Sequence, residues 1–222
     1  MKTTVVYVYP NHSYRELANW FVHSYNVCTA GREHDTLIVT QGCEPDNTMR
    51  EMFGSLPGLR FLQHDNSGYD IGAFQKASRE SSAEMMVFFG TTGYLKNRGW
   101  LTRAHEAVER HGDTLYGTMG HGGAGPGIHP HIRTTGFWIS PSLFNQYPSV
   151  IREPSQRYGF EHGSESLTTW ILGMNLTPWV VTMDGEYEIP QWGQIKNGYQ
   201  NGDQSNLLAG DRLTKPPYYP TP

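Results

Sequence analysis

Cysteine and long apolar runs are both scarce in this 222-residue sequence, which has two cysteines, Cys28 and Cys43. Two cysteines cannot build a disulfide framework, so we expect half-buried free thiols in a reducing compartment. No apolar run approaches the ~18 residues that a membrane-spanning helix needs. The opening residues 1–10 are too short for a signal-peptide core and end in a proline. We therefore expect a protein with no transmembrane segment, located in the cytoplasm.

The sequence also lacks an excess of basic over acidic residues. Lysine and arginine number 17 against 21 aspartates and glutamates, and the formal net charge is −4. Nucleic-acid binders need cationic side chains to neutralise phosphates, so we expect no nucleic-acid partner. Disorder is disfavoured as well, because 13% of the residues are aromatic and the net charge is small.

Several familiar motifs are missing: the sequence contains no GxxxxGK[ST], no GxSxG and no HExxH. Gly120, Gly122 and Gly125 match GxGxxG after a predicted strand. Pro126 follows at once, however, and no helix opens there to hold a pyrophosphate. We expect residues 120–127 to form a mobile loop that covers a pocket.

What is present is an alternation of strand and helix patterns. Strands are predicted at 3–9, 35–41, 59–63, 84–89, 114–119, 133–140 and 177–183. Helices are predicted at about 13–27, 46–56, 68–81, 100–110, 142–147 and 163–172. Such an order is typical of an α/β domain with a mostly parallel sheet. Residues 186–222 are polar, and we expect them to wrap the domain or to be partly disordered.

The segment 64–73 (HDNSGYDIGA), between the third strand and a helix, carries the strongest chemical signal. In open α/β sheets, ligands bind beyond the carboxyl ends of the strands. Asp65, Asn66 and Asp70 follow such an end, and Gly68 permits a tight turn. Two interpretations remain open: a ligand-binding turn, or a loop in which Asp70 caps the helix.

Residues 66–74 (NSGYDIGAF) resemble the N-x-G-x-D-x-G-A element of the rhamnan synthesis protein F-like glycosyltransferases, relatives of the GT-A enzymes. Later landmarks follow in a similar order, at 87–93, Trp100, 129–137 and 160–167. The resemblance covers about residues 1–185. It implies a single GT-A-like, Rossmann-like domain with a mixed, mostly parallel sheet. It also implies a hexosyltransferase that moves a sugar from a nucleotide sugar to a carbohydrate acceptor in polysaccharide or glycan biosynthesis.

The resemblance also implies a donor site at the strand ends. The residues expected there are Tyr9, Pro10, Gln41, Asp65, Asn66, Gly68, Asp70, Thr91 and Thr92. GT-A enzymes usually hold Mn²⁺ or Mg²⁺ with a D-x-D after the fourth strand, whereas this sequence reads Gly90-Thr91-Thr92, without a carboxylate. Asp70 is the nearest substitute metal ligand. Alternatively, the threonine hydroxyls with Arg133 or Lys96 bind the diphosphate without a metal.

An acceptor hydroxyl is a weak nucleophile, and inverting transfer needs a carboxylate base. Glu161 and Glu165 are one helical turn apart and are the expected candidates, with Glu161 preferred. The alternative is an ordinary solvated helix start, where acids are favoured.

On the acceptor side we expect His129, His131, Arg133 and Trp138, with core packing open for Trp138. His121, His129 and His131 lack a carboxylate or cysteine at ligand spacing, which favours substrate contact or plain surface over a metal site.

Two functions compete with transfer. The missing D-x-D favours a non-catalytic nucleotide-sugar or carbohydrate-binding protein on the same fold. A nucleotidyltransferase would need a basic, glycine-rich loop after the first strand, where residues 10–13 read PNHS.

Overall fold

The computed structural model describes residues 1–123 and 126–212. The strands of this part are β1 (Thr3–Tyr9), β2 (Asp35–Gln41), β3 (Arg60–His64), β4 (Met85–Phe89), β5 (Gly93–Leu95), β6 (Tyr116–Gly117), β7 (Gly120–His121), β8 (His131–Ile132), β9 (Gly136–Ile139), β10 (Trp179–Val181), β11 (Glu186–Tyr187) and β12 (Ala209–Asp211). Its α-helices are α1 (Arg15–Val27), α2 (Asn47–Phe53), α3 (Tyr69–Arg79), α4 (Trp100–His111), α5 (Pro141–Phe144), α6 (Gln156–His162) and α7 (Leu167–Gly173). Two 3₁₀ helices span His12–Tyr14 and Ile189–Gln194.

Eight strands form one mixed sheet in the order β11-β10-β6-β9-β4-β1-β2-β3. Four of its seven strand pairs are parallel, namely β1 with β2, β2 with β3, β1 with β4, and β6 with β10. The remaining three are antiparallel. The predicted α/β class, with a mixed and mostly parallel sheet flanked by helices, is confirmed.

Helices cover both faces of the sheet, with β1 buried along its whole length. Side chains alternate across a strand, so Val5, Tyr7 and Tyr9 face one apolar layer while Val6 and Val8 face the other. The first layer contains residues of α1, α2 and α4, and the second contains residues of α3, α5, α6 and α7. The unbroken apolar run of β1 follows from this burial on two sides.

The strand order reverses direction at β1. The chain first adds β2 and β3 on one side of β1, then crosses to place β4 on the other side. In open α/β sheets such a reversal leaves a crevice beyond the carboxyl ends of the two central strands, and ligands bind there.

The helix predicted at 163–172 is wrong at its start, because the structure has two helices in this region. Helix α6 ends where the Gly163 N–H bonds to the carbonyls of Tyr158 and Gly159. Helix α7 then begins behind Ser166, whose side chain accepts from the Thr169 N–H. The strand predicted at 133–140 is shorter in the structure, where β9 spans Gly136–Ile139 within the main sheet. Strand β8 precedes the predicted range and pairs with β7 outside that sheet.

The segment after residue 185 packs against the sheet and helices as far as the structure describes it. Trp192, Leu207 and Leu208 are buried. Strand β12 pairs antiparallel with β5, with Asp211 opposite Gly93. Residues 213–222 lie outside the described residues, as do Ala124 and Gly125 of the glycine-rich loop. The division at residue 185 and the partly disordered end stay predictions.

Both cysteines are free thiols, with Cys28 buried and Cys43 half-buried. Across residues 1–123 and 126–212, no helix has the length and apolar character to cross a bilayer. The cytoplasmic location stays a prediction.

The turn before α3 has an unusual backbone. Asn66, Gly68 and Tyr69 have positive φ angles of 71°, 67° and 52°, and for a bulky residue such as tyrosine this conformation is strained. The Gly68 N–H donates to the Arg152 carbonyl at 2.6 Å. A side chain on Gly68 would overlap the carbonyl oxygen of Ile151. The segment at 151–152 therefore fixes the turn from which α3 begins.

Replacing Gly72 by alanine tests a second close approach in this region, between Gly72 and the backbone of Ser67. A Cβ there would overlap the carbonyl oxygen of Ser67, so we expect Gly72→Ala to lower the free energy of unfolding in urea by about 1–3 kcal/mol. The control is Gly159→Ala in α6, where a Cβ meets open space. That change should leave stability unchanged or raise it by up to ~1 kcal/mol. Equal effects of the two substitutions would contradict the tight packing of the turn.

A candidate active-site cleft

A cleft of about 500 Å³ opens at the point where the strand order reverses. Its walls come from the chain after β1, β2 and β4, from the turn before α3, and from α6 and β12. The expected site residues that line it are Pro10, Gln41, Asn66, Asp70, Thr91, Thr92, Arg133 and Glu161. The sheet thus brings together side chains that are up to 151 positions apart in the sequence, from Pro10 to Glu161.

Two of the expected site residues, Tyr9 and Trp138, lie in the core. The Tyr9 ring is buried with its neighbour Phe53 at 5.5 Å in an edge-to-face arrangement. The Trp138 ring is buried and stacked on Tyr116 at 5.7 Å. Both side chains point into the first apolar layer. For Trp138 the structure therefore shows core packing, the alternative left open by the sequence, and Tyr9 is a buried strand tyrosine.

Other expected site residues lie outside the cleft lining. Asp65 is exposed and turns back on its own loop, accepting hydrogen bonds from the Ser67 N–H and hydroxyl. Gly68 lies in the turn before α3 and is not part of the cleft lining. Glu165 is exposed in the link between α6 and α7, so it does not share a helix face with Glu161 as predicted.

The histidines form a separate stack beside α6. The His131 ring lies 5.3 Å from that of His121 and 5.6 Å from that of His162. Burial lowers the pKa of His131, and its Nδ1 lies 2.8 Å from the carbonyl oxygen of His129, which is itself exposed. Within the described ranges, no group of three histidine, cysteine or acidic side chains is arranged to hold a metal ion. Neither His129 nor His131 lines the cleft.

Asp70 lies at the inner wall, against the turn that follows β4. Its Oδ2 is 3.6 Å from the position that a Cβ on Gly90 would occupy. A carboxylate carried by α3 thus stands next to the Gly90-Thr91-Thr92 turn, which has no acid of its own. Gly68 occupies the N-cap position of α3, so the alternative of Asp70 as the helix cap is not supported.

The pKa of Asp70 reflects this place in the cleft. Burial raises the pKa above its ordinary range, and the neighbouring carboxylate of Glu161 raises it further. The guanidinium of Arg157 opposes this rise, with its Nε 3.3 Å from the Asp70 Oδ1. Asp70 is therefore held in a less solvated state than a surface aspartate, a feature typical of functional sites.

Arg157 is a site residue that sequence reasoning missed. It lies on α6, a helix that the sequence pattern did not predict, and its guanidinium carbon is 5.6 Å from the centre of the Tyr69 ring. Glu161 follows one helical turn later on the same helix. The Glu161 Oε1 accepts from the Thr134 N–H at 3.3 Å, so the backbone after β8 orients this carboxylate.

Asp211 is a second missed residue, almost completely buried at 4% exposure. Its Oδ2 lies 3.4 Å from the Arg133 Nη2 and 3.3 Å from the Thr135 hydroxyl. Arg133 also donates to the Tyr199 hydroxyl and lies over that ring, 4.9 Å from its centre. Tyr199 and Asp211, which belong to the segment after residue 185, therefore hold the Arg133 guanidinium in place.

Gln41 carries an unusual unpaired group. Its side chain is 6% exposed, and its Nε2 has no hydrogen-bond partner among the described residues. A buried donor without a partner costs about 1–3 kcal/mol, and Gln41 lines the cleft. The Thr91 hydroxyl, by contrast, already donates to the Val8 carbonyl at 3.2 Å.

No protein-family model and no curated protein matches the chain. Among solved structures, S. aureus TarS residues 1–349 in complex with UDP-GlcNAc has a TM-score of 0.49 at 17% identity, over 65% of this chain and 46% of that one. The galactosyltransferase LgtC in complex with donor and acceptor sugar analogues has a TM-score of 0.48 at 11% identity, over 64% of this chain and 59% of that one. The matches thus span about half of these neighbours. At this level of similarity, the neighbours' substrates are not transferred to the chain.

Replacing Asp70 by asparagine tests the electrostatics of the cleft. Because the folded-state pKa of Asp70 is raised, its ionised form is disfavoured in the folded protein. We expect Asp70→Asn to raise the free energy of unfolding at pH 7. The difference should shrink as the pH falls towards the ordinary aspartate pKa of about 3.9 and below. Urea unfolding between pH 3 and 8 measures it.

Asp184→Asn provides a control for which the opposite change in the free energy of unfolding is expected. It accepts from the Thr182 hydroxyl at 2.7 Å and from the Asn206 amide at 2.5 Å, and its pKa is lowered. Asp184→Asn should therefore reduce stability at pH 7, with the loss fading below about pH 4. A destabilising Asp70→Asn substitution at pH 7 would contradict the assignment of Asp70 to a strained functional position.

Proposed function

We propose that the protein is a GT-A-type glycosyltransferase that moves a hexosyl group from a nucleotide sugar to a carbohydrate acceptor in polysaccharide or glycan biosynthesis. One observation carries this proposal: a cleft at the strand-order reversal combines two guanidinium groups with a carboxylate oriented by a backbone amide. The resemblance of residues 66–74 to the rhamnan synthesis protein F-like element supports it, since the turn in that segment brings Asp70 into the cleft.

The donor is proposed to lie across the carboxyl ends of β1, β2 and β4. The nucleobase end would meet Pro10 and Gln41, where the unpaired Nε2 offers a donor to a base carbonyl. Departure of the nucleoside diphosphate places developing negative charge on the phosphate oxygens. Arg133 and Arg157 line the cleft, and their positive guanidinium groups would stabilise that charge. The cleft volume of about 500 Å³ also lies within the range of small-molecule sites.

Glu161 is the proposed base. In an inverting transfer, the acceptor oxygen attacks the anomeric carbon while its proton passes to a Glu161 carboxylate oxygen. The bond between that carbon and the diphosphate oxygen breaks at the same time. The N–H of Thr134 fixes one carboxylate oxygen, and the proton goes to a lone pair that this contact leaves available.

A second candidate is a non-catalytic nucleotide-sugar or carbohydrate-binding protein on the same fold. The specific observation that favours it is the absence of a carboxylate in the turn Gly90-Thr91-Thr92.

A panel of nucleotide sugars separates the two candidates. The protein is incubated with each donor, with and without Mn²⁺, and release of free nucleotide is measured. We expect release with at least one donor, stimulated by a carbohydrate acceptor. Tight donor binding without release under any condition would favour the binding protein.

Removing the base gives a second prediction. We expect Glu161→Gln to lower kcat for transfer by about 10²–10⁴-fold, with little change in donor affinity, because the glutamine keeps the shape and the contact with Thr134 but accepts no proton. The matched control is Glu165→Gln, four residues further on and outside the cleft. A Glu161→Gln variant as active as this control would show that another group is the base.

A further inference from the structure

We propose that Arg157 and Arg133 take the place of a divalent cation at this site, so that the diphosphate of the donor is bound without a metal ion. The proposal rests on the function proposed above and goes further by naming the groups that hold the diphosphate.

The carboxylates of the cleft are already engaged. Asp70 pairs with Arg157, Asp211 with Arg133 and the Thr135 hydroxyl, and Glu161 accepts from the backbone at 134. At a diphosphate site, magnesium and manganese are held by one or two protein carboxylates together with phosphate oxygens and water. In this cleft each carboxylate is already held by an arginine or a backbone N–H, and the turn Gly90-Thr91-Thr92 has no carboxylate. These residues do not fit the metal centre that the family resemblance implies.

A guanidinium lies where the resemblance would place the metal. The Asp70 carboxylate stands against the turn after β4, 3.6 Å from the Cβ position of Gly90, and holds the Nε of Arg157 at 3.3 Å. Asp70 therefore positions an organic cation beside this turn. This contact uses Nε, so the two terminal nitrogens of Arg157 are not part of it, and the residue lines the cleft. Two adjacent N–H donors in one plane match a phosphate.

Arg133, which also lines the cleft, supplies the second guanidinium. Its terminal nitrogens contact Tyr199 and Asp211, while its buried Nε has no hydrogen-bond partner in the described part of the chain. Asp211 acts as a positioning residue, since its Oδ2 lies 3.4 Å from the Arg133 Nη2 and holds that guanidinium in the cleft lining.

Calorimetric titration of the full chain with UDP and with dTDP tests the proposal. One series contains EDTA and the other contains Mn²⁺. We expect at least one of the two diphosphates to bind, with affinities in the two series that agree within about threefold, a difference well below 1 kcal/mol by the relation between affinity and free energy.

Substitution of Arg157 tests whether its guanidinium binds the diphosphate. Arg157→Gln should weaken diphosphate binding by about tenfold or more while leaving the affinity for the matching nucleoside unchanged, and Arg157→Lys should restore binding only in part. The matched control is Arg152→Gln, a nearby exposed arginine outside the cleft lining. Thermal melts of each variant verify folding.

The outcomes separate this inference from the function on which it rests. Binding that needs Mn²⁺, or that Arg157→Gln leaves intact, overturns the inference and leaves the glycosyltransferase proposal standing. Failure of a broad panel of nucleoside diphosphates and nucleotide sugars in both series overturns the proposed function itself.

Discussion

Parallel pairing of β1 with β2 on one side and with β4 on the other is the constraint on which the rest of the site depends. Tyr9 pairs with Thr40 and Tyr7 with Phe89, so the three strands end at the same edge. The chain then leaves the sheet in different directions and opens a crevice between them. The turn before α3, helix α6 and strand β12 each contribute to this crevice, although they are far apart in the sequence.

The cleft concentrates features that cost stability elsewhere in a protein. Asn66 and Tyr69 have left-handed backbone conformations, burial raises the pKa of Asp70, and Gln41 has an unpaired donor. Each of these features is unfavourable on its own, and all of these residues line the same cleft. A bound ligand that pairs with these groups would offset those costs, which is the physical reason for assigning function to this place in the fold.

The sequence predicted the central sheet well and the second half of the chain less well. The bounds of β1 and β2 were predicted to the residue, because their β-branched and aromatic runs are buried on both faces. Asp70 and Glu161 were identified as site candidates from a glycine-containing turn and an acid at a helix. Helix α6 was missed because it has seven residues and only Phe160 is buried, so Arg157 was missed with it. Asp211 was missed because its burial depends on pairing with β5, which no local pattern reveals. Tyr9 and Trp138 had the right chemistry for stacking, but their strand positions point them into the core.

Whether this cleft binds the donor is tested most directly by a crystal structure of the chain soaked with UDP or dTDP. We expect a diphosphate within hydrogen-bond distance of both Arg157 and Arg133, with the base beside the Gln41 amide. A nucleotide bound elsewhere on the molecule, with this cleft empty, would contradict it.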